Sequence, residues 1–353
     1  MSNCAAWNWK KPRDSDTFGN QARNGTSLIH PTIQPPMTIS GFSMVRNATQ
    51  LFYPIRQSIE SILPLVDEFV IAVGKGDEDD LTLEEIRKID SKKVRIIETE
   101  WDLEKYPNGM ENAHQTDLAK EACSGDWLFY LQADEVVHEQ YLPVIRARCE
   151  ELLDDQAIEG LLFGYKHFWG DFQHYQISHG WYPFEIRIVR NDPDIHSWES
   201  AQSFRKIPDF DGLNYRQQEG TYKLKVAKVD AEIYHYGWVR PPHLMQNKRK
   251  ALDTIHKGAE RVAALYATAP PEFDYGPMSL LETFQETHPA VMEEWIQQFD
   301  WADQLYETEA DAPPNRTHHK HERPKYRLLT FLEQRILGGR QIGGFRNYKL
   351  VNR

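Results

Sequence analysis

From Met37 onward, short apolar runs alternate with polar segments of helical period. Residues 38–45 read as a buried strand, followed by a polar turn at Arg46 and Asn47. Ile55, Ile59, Ile62 and Leu63 then share one face of a helix, with Pro54 in its first turn and Pro64 at its end. Residues 69–73, 94–97 and 127–131 read as three more strands. The helices between and after them fall at 82–89, where Thr82 and Glu85 have capping-box spacing, at 111–122 and at 140–153. This alternation predicts an α/β fold, a mostly parallel, Rossmann-like sheet with helices on both faces.

The second half has a different rhythm. Residues 160–169, 185–189 and 226–234 read as strands with aromatic residues packed between them, and 242–267 as one long helix. Residues 268–300 read as helices interrupted by Pro270, Pro271, Pro277 and Pro289, and 308–324 as a polar linker that leaves His318, His319 and His321 solvated. Residues 326–337 make a basic amphipathic helix. Its stripe of Leu328, Leu329, Leu332, Ile336 and Leu337 is expected to pack on the body, with an anionic membrane as the other reading. Residues 1–36 read as a flexible leader.

Composition narrows the class. The chain has 353 residues, 40% hydrophobic and 27% charged, enough for a sizeable core in two joined lobes or one large domain with a tail. No run of apolar residues is long enough to span a bilayer and the N-terminus lacks a secretion signal, so the expected address is the cytoplasm. Cys4, Cys123 and Cys149 form no C-x-x-C pair, which argues against a disulfide scaffold or a cysteine zinc site. The net charge of -12 is unevenly spread. Residues 312–353 carry many Lys and Arg against only Glu322 and Glu333, so the rest is strongly acidic and a poor footprint for nucleic acid. The basic tail remains a candidate for peripheral membrane contact.

In open parallel sheets, ligands bind beyond the carboxyl ends of the strands. Here those ends carry Arg46 and Asn47, the acidic loop 74–80, and the turn 132–135. Carboxylates at a strand tip suit a hard divalent cation, and Asp134 and Glu135 stand at such a tip.

Four segments in order, SMVRNATQ (43–50), SILPLVDEFVIAV (61–73), GKGDEDDLT (74–82) and CSGDWLFYLQADE (123–135), resemble glycosyltransferase family 2, whose fold is called GT-A. The resemblance covers residues 37–155 and fades towards residue 260. It implies a nucleotide-sugar-binding half at 37–155, an acceptor-side α+β half at 156–267 and a helical extension with a basic tail at 268–353. The implied activity is inverting transfer of a sugar from a nucleoside-diphosphate sugar to a hydroxyl on a glycan, lipid-linked or other acceptor. The family's strand closes in Asp-x-Asp. Gln132 replaces the first Asp, leaving Asp134 as the metal position, Glu135 as its neighbour, and Gln132 to hydrogen-bond ribose or phosphate. Gly74 replaces the Asp that usually ends the second strand, leaving Asp77 and Asp79 for the base or ribose. His235 resembles the late histidine that completes the cation's shell, and mixed ligation favours Mn²⁺ over Mg²⁺. Glu199 is the expected general base, with Glu185 in reserve.

Arg46 and Asn47 are placed to approach the nucleotide, and Asn112 either to contact the diphosphate or to cap its helix. A solvated helix face is the expected setting of Lys248 and Arg249; Trp169 and Trp181 are expected to be exposed beside the acceptor. The Gln132 and Gly74 departures keep a non-catalytic nucleotide-sugar binder open. A nucleotidyltransferase or sugar-nucleotide hydrolase is a further alternative on a similar sheet.

Overall fold

The computed structural model describes residues 36–344 and 346–353, so the expected leader lies, apart from Pro36, outside the described residues. Four apolar runs become parallel strands: β1 (Ile39–Val45), β2 (Glu68–Gly74), β3 (Val94–Thr99) and β4 (Trp127–Tyr130), side by side in the order β3-β2-β1-β4. Helices α1 (Ile55–Ile62), α2 (Thr82–Arg87) and α3 (Met110–Glu121) make the crossovers. Because side chains alternate along a strand, each strand feeds two cores. Ile39, Ile71 and Phe129 pack with Ile55, Ile59 and Ile62 of α1 on one face. Phe42, Val70 and Leu128 pack with Ala119 of α3 on the other. The architecture is therefore mixed α/β with helices on both faces.

After β4 the chain forms β5 (Glu135–Val137), α4 (Leu142–Glu151), β6 (Gly160–Trp169), β7 (His174–Gln176), β8 (Phe184–Arg190), β9 (Ile195–Trp198), β10 (Ser203–Lys206) and β11 (Tyr222–Trp238). The sheet continues past β4 through antiparallel β8 and β6 to β11, which lies parallel to β6 and carries the β9–β10 hairpin at its start. The parallel first half thus gives way at β8 to a mixed second half, where an α+β region was expected. A hairpin return needs no crossover helix, and the aromatic second half supplies none.

Helices α5 (Pro242–Lys257) and α6 (Ala259–Tyr266) replace the single helix expected over 242–267. Gly258 has φ 83°, a left-handed conformation that suits glycine and ends the first helix. Beyond them come β12 (Glu282–Thr283), α7 (Glu293–Ile296), α8 (Pro324–Phe331) and β13 (Tyr348–Leu350). The expected 326–337 helix is α8 followed by a π-turn over Leu332–Ile336. The linker is also more ordered than its polarity suggests. His321 and Glu322 are buried, Arg316 pairs with Glu322, and His319 Nε2–H donates to the Asp274 carbonyl. Thr82 does not cap α2; its hydroxyl donates to Asp80 and accepts the Ala48 N–H, tying the ends of β1 and β2 together. Among the described residues no helix is long and apolar enough to cross a membrane.

Candidate functional site

Strand register builds the site. β5 pairs antiparallel with β11, setting Glu135 opposite His235, and β11 pairs parallel with β6, setting His235 opposite His167. Asp134 directly precedes β5, and its carbonyl accepts the Tyr236 N–H at 2.8 Å. Residues 101 positions apart therefore meet at one strand end: His235 Nε2 lies 3.7 Å from Asp134 Oδ1, and both side chains are buried.

The protonation pattern follows from the hydrogen bonds. A carbonyl oxygen can only accept, so His167 Nε2 carries the proton it donates to the Tyr182 carbonyl at 2.9 Å. Burial, then the neighbouring His235, lowers the His167 pKa to about 3, so the ring is neutral and its Nδ1 bears the lone pair. That lone pair accepts the proton of His235 Nδ1 at 2.9 Å. Burial likewise lowers His235 to about 4, against the pull of Asp134. Its remaining nitrogen, Nε2, is left unprotonated beside Asp134. A metal-binding imidazole is commonly oriented in this way by a hydrogen bond at its other nitrogen.

Burial alone would raise the Asp134 carboxyl. Lys248, through its charge and its hydrogen bond, and Arg240 overcome it and hold the group well below the usual carboxylate range. Lys248 is buried on α5, not solvated as expected. Its ammonium donates to Asp134 Oδ2 at 2.8 Å and to the Gly237 carbonyl at 2.7 Å, and lies 4.8 Å from the centre of the Tyr53 ring. Burial, then Arg240, lowers its pKa to about 8. The pairing with β6 slips between His235 and Trp238, and Gly237 sits in the slip. A Cβ there would stand 2.4 Å from His235 Nε2 and 2.7 Å from Asp134 Oδ2, so any side chain at 237 would crowd both groups. Metal–ligand bonds of about 2.1 Å are compatible with donor atoms so spaced. One carboxylate oxygen and one imidazole nitrogen are donor types that a divalent cation takes.

Glu135 is corrected by the structure. Both its oxygens are held by Arg187, at 2.7 Å from Nε and 2.7 Å from Nη2; Tyr165 Oη and the Gln132 N–H add 2.8 and 3.0 Å bonds. Its carboxylate is fully buried and committed, so it does not turn to a cation beside Asp134. The Gln132 side chain is committed too, donating to the Ala201 carbonyl at 3.0 Å. That bond brings the β9–β10 turn against the end of β4, and Glu199 is in this turn, half-buried with φ 57°. Glu185 lies inside the sheet, accepting from Ser203 Oγ at 2.6 Å and from the Ile186 N–H at 2.9 Å; burial raises its pKa. Arg187 pairs with Glu135 instead of Glu185.

The first two loops form a second cluster. Arg46 donates to Asp77 at 2.8 Å and to the Lys75 carbonyl at 2.8 Å, while Asn47 and Asp77 exchange two bonds at 2.8 and 2.9 Å. Asp79 is exposed nearby. A cavity of about 540 Å³ opens here, lined among others by Gly74, Asp77, Asp80, Glu98 and Glu100. A Cβ on Gly74 would come within 2.2 Å of Trp101 Nε1, so this indole occupies the space a side chain at the end of β2 would need. Asn112 is buried on α3 without capping it, and its Oδ1 has no hydrogen-bond partner among the described residues. Trp169, expected to be exposed, is core. Its Nε1–H donates to the Tyr275 carbonyl and its ring stacks on Trp238; Trp181 is half-buried.

Lys248 was named from sequence but given a solvated setting, and His167, Arg187 and Trp101 were not singled out for the site. Lys248 carried one usable signal, since it lies three residues after the buried Met245 of α5. The other three are specified by contacts far apart in the chain.

No protein-family model matches the sequence, and no curated protein sequence does. Solved structures do. One is glucosyl-3-phosphoglycerate synthase from Mycobacterium tuberculosis in complex with Mn²⁺, uridine diphosphate and phosphoglyceric acid. It is 21% identical over 36% of this chain and 43% of that one, with TM-score 0.27. S. aureus TarS is 13% identical over 65% of this chain and 43% of that one, with TM-score 0.35. The TarS 1–349 structure gives 13% identity, 66% and 73% coverage and TM-score 0.33. The matched region spans less than half of the first two proteins. Overlaps this partial carry no functional argument, which rests on Asp134, His167, His235 and Lys248 themselves.

Proposed function

We propose that this chain is an inverting glycosyltransferase of the family 2 type, moving a sugar from a nucleoside-diphosphate sugar to a hydroxyl-bearing glycan, lipid-linked or other acceptor. One observation supports it above the rest. The low-pKa carboxylate of Asp134 and the unprotonated Nε2 of His235 face each other at 3.7 Å, and Gly237 brings no side chain to crowd them. Asp134 and His235 would hold a divalent cation, Mn²⁺ or Mg²⁺, which when bound supplies positive charge for the leaving diphosphate. His167 orients His235, which burial keeps neutral. Lys248 fixes Asp134 and adds a cation of its own. The knot of Arg46, Asn47 and Asp77, with Asp79 beside it, forms one wall for the nucleoside.

In the transfer, Glu199 takes the proton of the acceptor hydroxyl as that oxygen bonds to the anomeric carbon. The bond from that carbon to the diphosphate oxygen breaks on the opposite face and its electron pair leaves with the diphosphate, so the configuration inverts. What favours Glu199 over Glu185 is access: its turn abuts the end of β4, whereas Glu185 is buried within the sheet.

The test is transfer and donor binding across UDP, GDP, CDP and dTDP sugars, with and without Mn²⁺. One donor should give turnover, and Asp134→Asn should reduce it at least ~100-fold with the fold intact. Full activity in that variant removes Asp134 from the chemistry, and nucleotide binding without turnover on any acceptor makes the chain a non-catalytic binder.

The Lys248 ammonium on Asp134 Oδ2 favours a second reading, in which a side-chain cation does the metal's work. Turnover that persists in chelator but disappears in Lys248→Met would select it.

A further inference from the structure

Of the stripe expected to pack inward at the C-terminal end, Leu329 and Leu332 are half-buried, but Leu328, Ile336 and Leu337 face out, joined by Phe331 and Ile342. Leu328, Phe331, Ile336, Leu337 and Ile342 are 61, 56, 63, 44 and 41% exposed. Among them stand the exposed cations Arg323, Lys325, Arg327, Arg335 and Arg340. The one acid in the segment, Glu333, is turned inward and buried, where Oε1 accepts from His179 Nδ1–H and from the Ile342 N–H, each at 2.7 Å. The outward surface of residues 323–342 therefore combines large apolar side chains with positive charge and presents no acid.

The inward side is clamped. Thr330 Oγ1 accepts the His179 N–H at 2.9 Å, Gln334 donates to the Ile177 carbonyl at 3.0 Å, and Gln341 donates to the Trp181 carbonyl at 2.5 Å. These bonds fix which face points outward. They also tie the segment to Trp181, whose ring lies 4.9 Å from that of His167 in the candidate site.

Charge selects the occupant. Two copies meeting by this face would set its cations against the same cations, the pairing an isologous dimer requires. An anionic lipid surface instead offers negative charge to every Arg and Lys and an acyl boundary to the leucines, isoleucines and phenylalanine, while the long basic stems lie along the apolar layer. We propose that residues 323–342 dock this protein on an anionic lipid surface, bringing the 177–181 loop and the site behind it close to the bilayer. The docking stands whether or not Asp134 and His235 do the chemistry.

Sedimentation of the full chain with vesicles tests it, comparing phosphatidylcholine alone with phosphatidylcholine containing one third phosphatidylglycerol. Binding is expected to the anionic vesicles and to weaken in half-molar salt. Phe331→Ser with Ile336→Ser should weaken it at least about tenfold, and Arg327→Glu with Arg335→Glu should do the same by a route that leaves the apolar groups in place. All four positions are exposed, so the melting temperature should stay unchanged in both variants. Failure to bind anionic vesicles overturns the proposal, as does binding that neither variant weakens. A concentration-dependent dimer that dissociates in Phe331→Ser with Ile336→Ser would also overturn it, making the face a contact between copies.

Discussion

Adjacent acids here have opposite fates, and the reason is local. Asp134 stands at the mouth of the strand end, paired with a lysine and facing an unprotonated imidazole, while the next residue, Glu135, points into the sheet against Arg187. That buried ion pair stands because its groups are used. Arg187 also donates to the Ile186 and Gln202 carbonyls, and Tyr165 and Gln132 complete Glu135. Removing one partner strands the other charge, so Glu135→Gln should destabilise the fold by about 3–5 kcal/mol in urea unfolding. His167→Phe removes the acceptor that fixes His235. It should weaken Mn²⁺ binding about 10–100-fold by calorimetry, with a smaller effect on nucleotide binding in chelator. Unchanged Mn²⁺ affinity would mean that His235 needs no partner to orient it. Asp134 and His235 were legible as candidates because each follows an apolar run. His167 was not, since a histidine within such a run shows its partner only once the strands are in register, and Lys248 reached its carboxylate only through the packing of α5.

The β9–β10 hairpin shows what an element adds. Glu199 and Ala201 both have positive φ, at 57° and 63°, which costs a residue with a Cβ about 1–2 kcal/mol. Ala201 is buried, and its carbonyl is held by Gln132, so the turn is pinned to the end of β4. Ala201→Gly relieves one strained position and should raise stability by about 1 kcal/mol or less in denaturant melts, because glycine's extra freedom in the unfolded chain offsets part of the gain. Most elements of the first half were readable, since two-residue alternation and 3.6-residue periodicity report directly on burial. The break at Gly258 was harder to see: a glycine within a helical pattern is usually tolerated, and here its φ of 83° ends the helix.

Across the whole molecule, charge and buried histidines set the response to conditions. The last residues do fold back on the acidic body: β13 pairs with Leu224–Val226 of β11, and Arg353 Nε lies 3.2 Å from Asp155. The preceding basic stretch is held to the body through Thr330, Glu333, Gln334 and Gln341, yet keeps its cations in solvent. His321 is buried, and burial, then His319, lowers its pKa to about 4 from the ordinary 6.5. Between those values the unfolded chain binds a proton that the folded chain refuses, so this contribution is complete above the unfolded pKa and is lost as pH falls towards 4. Metal-free protein in chelator should therefore melt at falling temperature as pH drops from 6.5 to 4, and His321→Phe should flatten that slope; an unchanged slope would place the sensitivity elsewhere.

What the sequence determined was whatever local pattern encodes: the strand–helix alternation of the first half, the polar strand ends, and the acid and histidine that follow apolar runs. Tertiary structure decided which of those groups meet. Register across β5, β11 and β6 joined Asp134, His235 and His167, α5 brought Lys248 over them, and Glu135 was withdrawn into the sheet. Those outcomes depend on side chains tens to more than a hundred residues apart competing for the same buried partners, and such a competition has no periodicity along the chain.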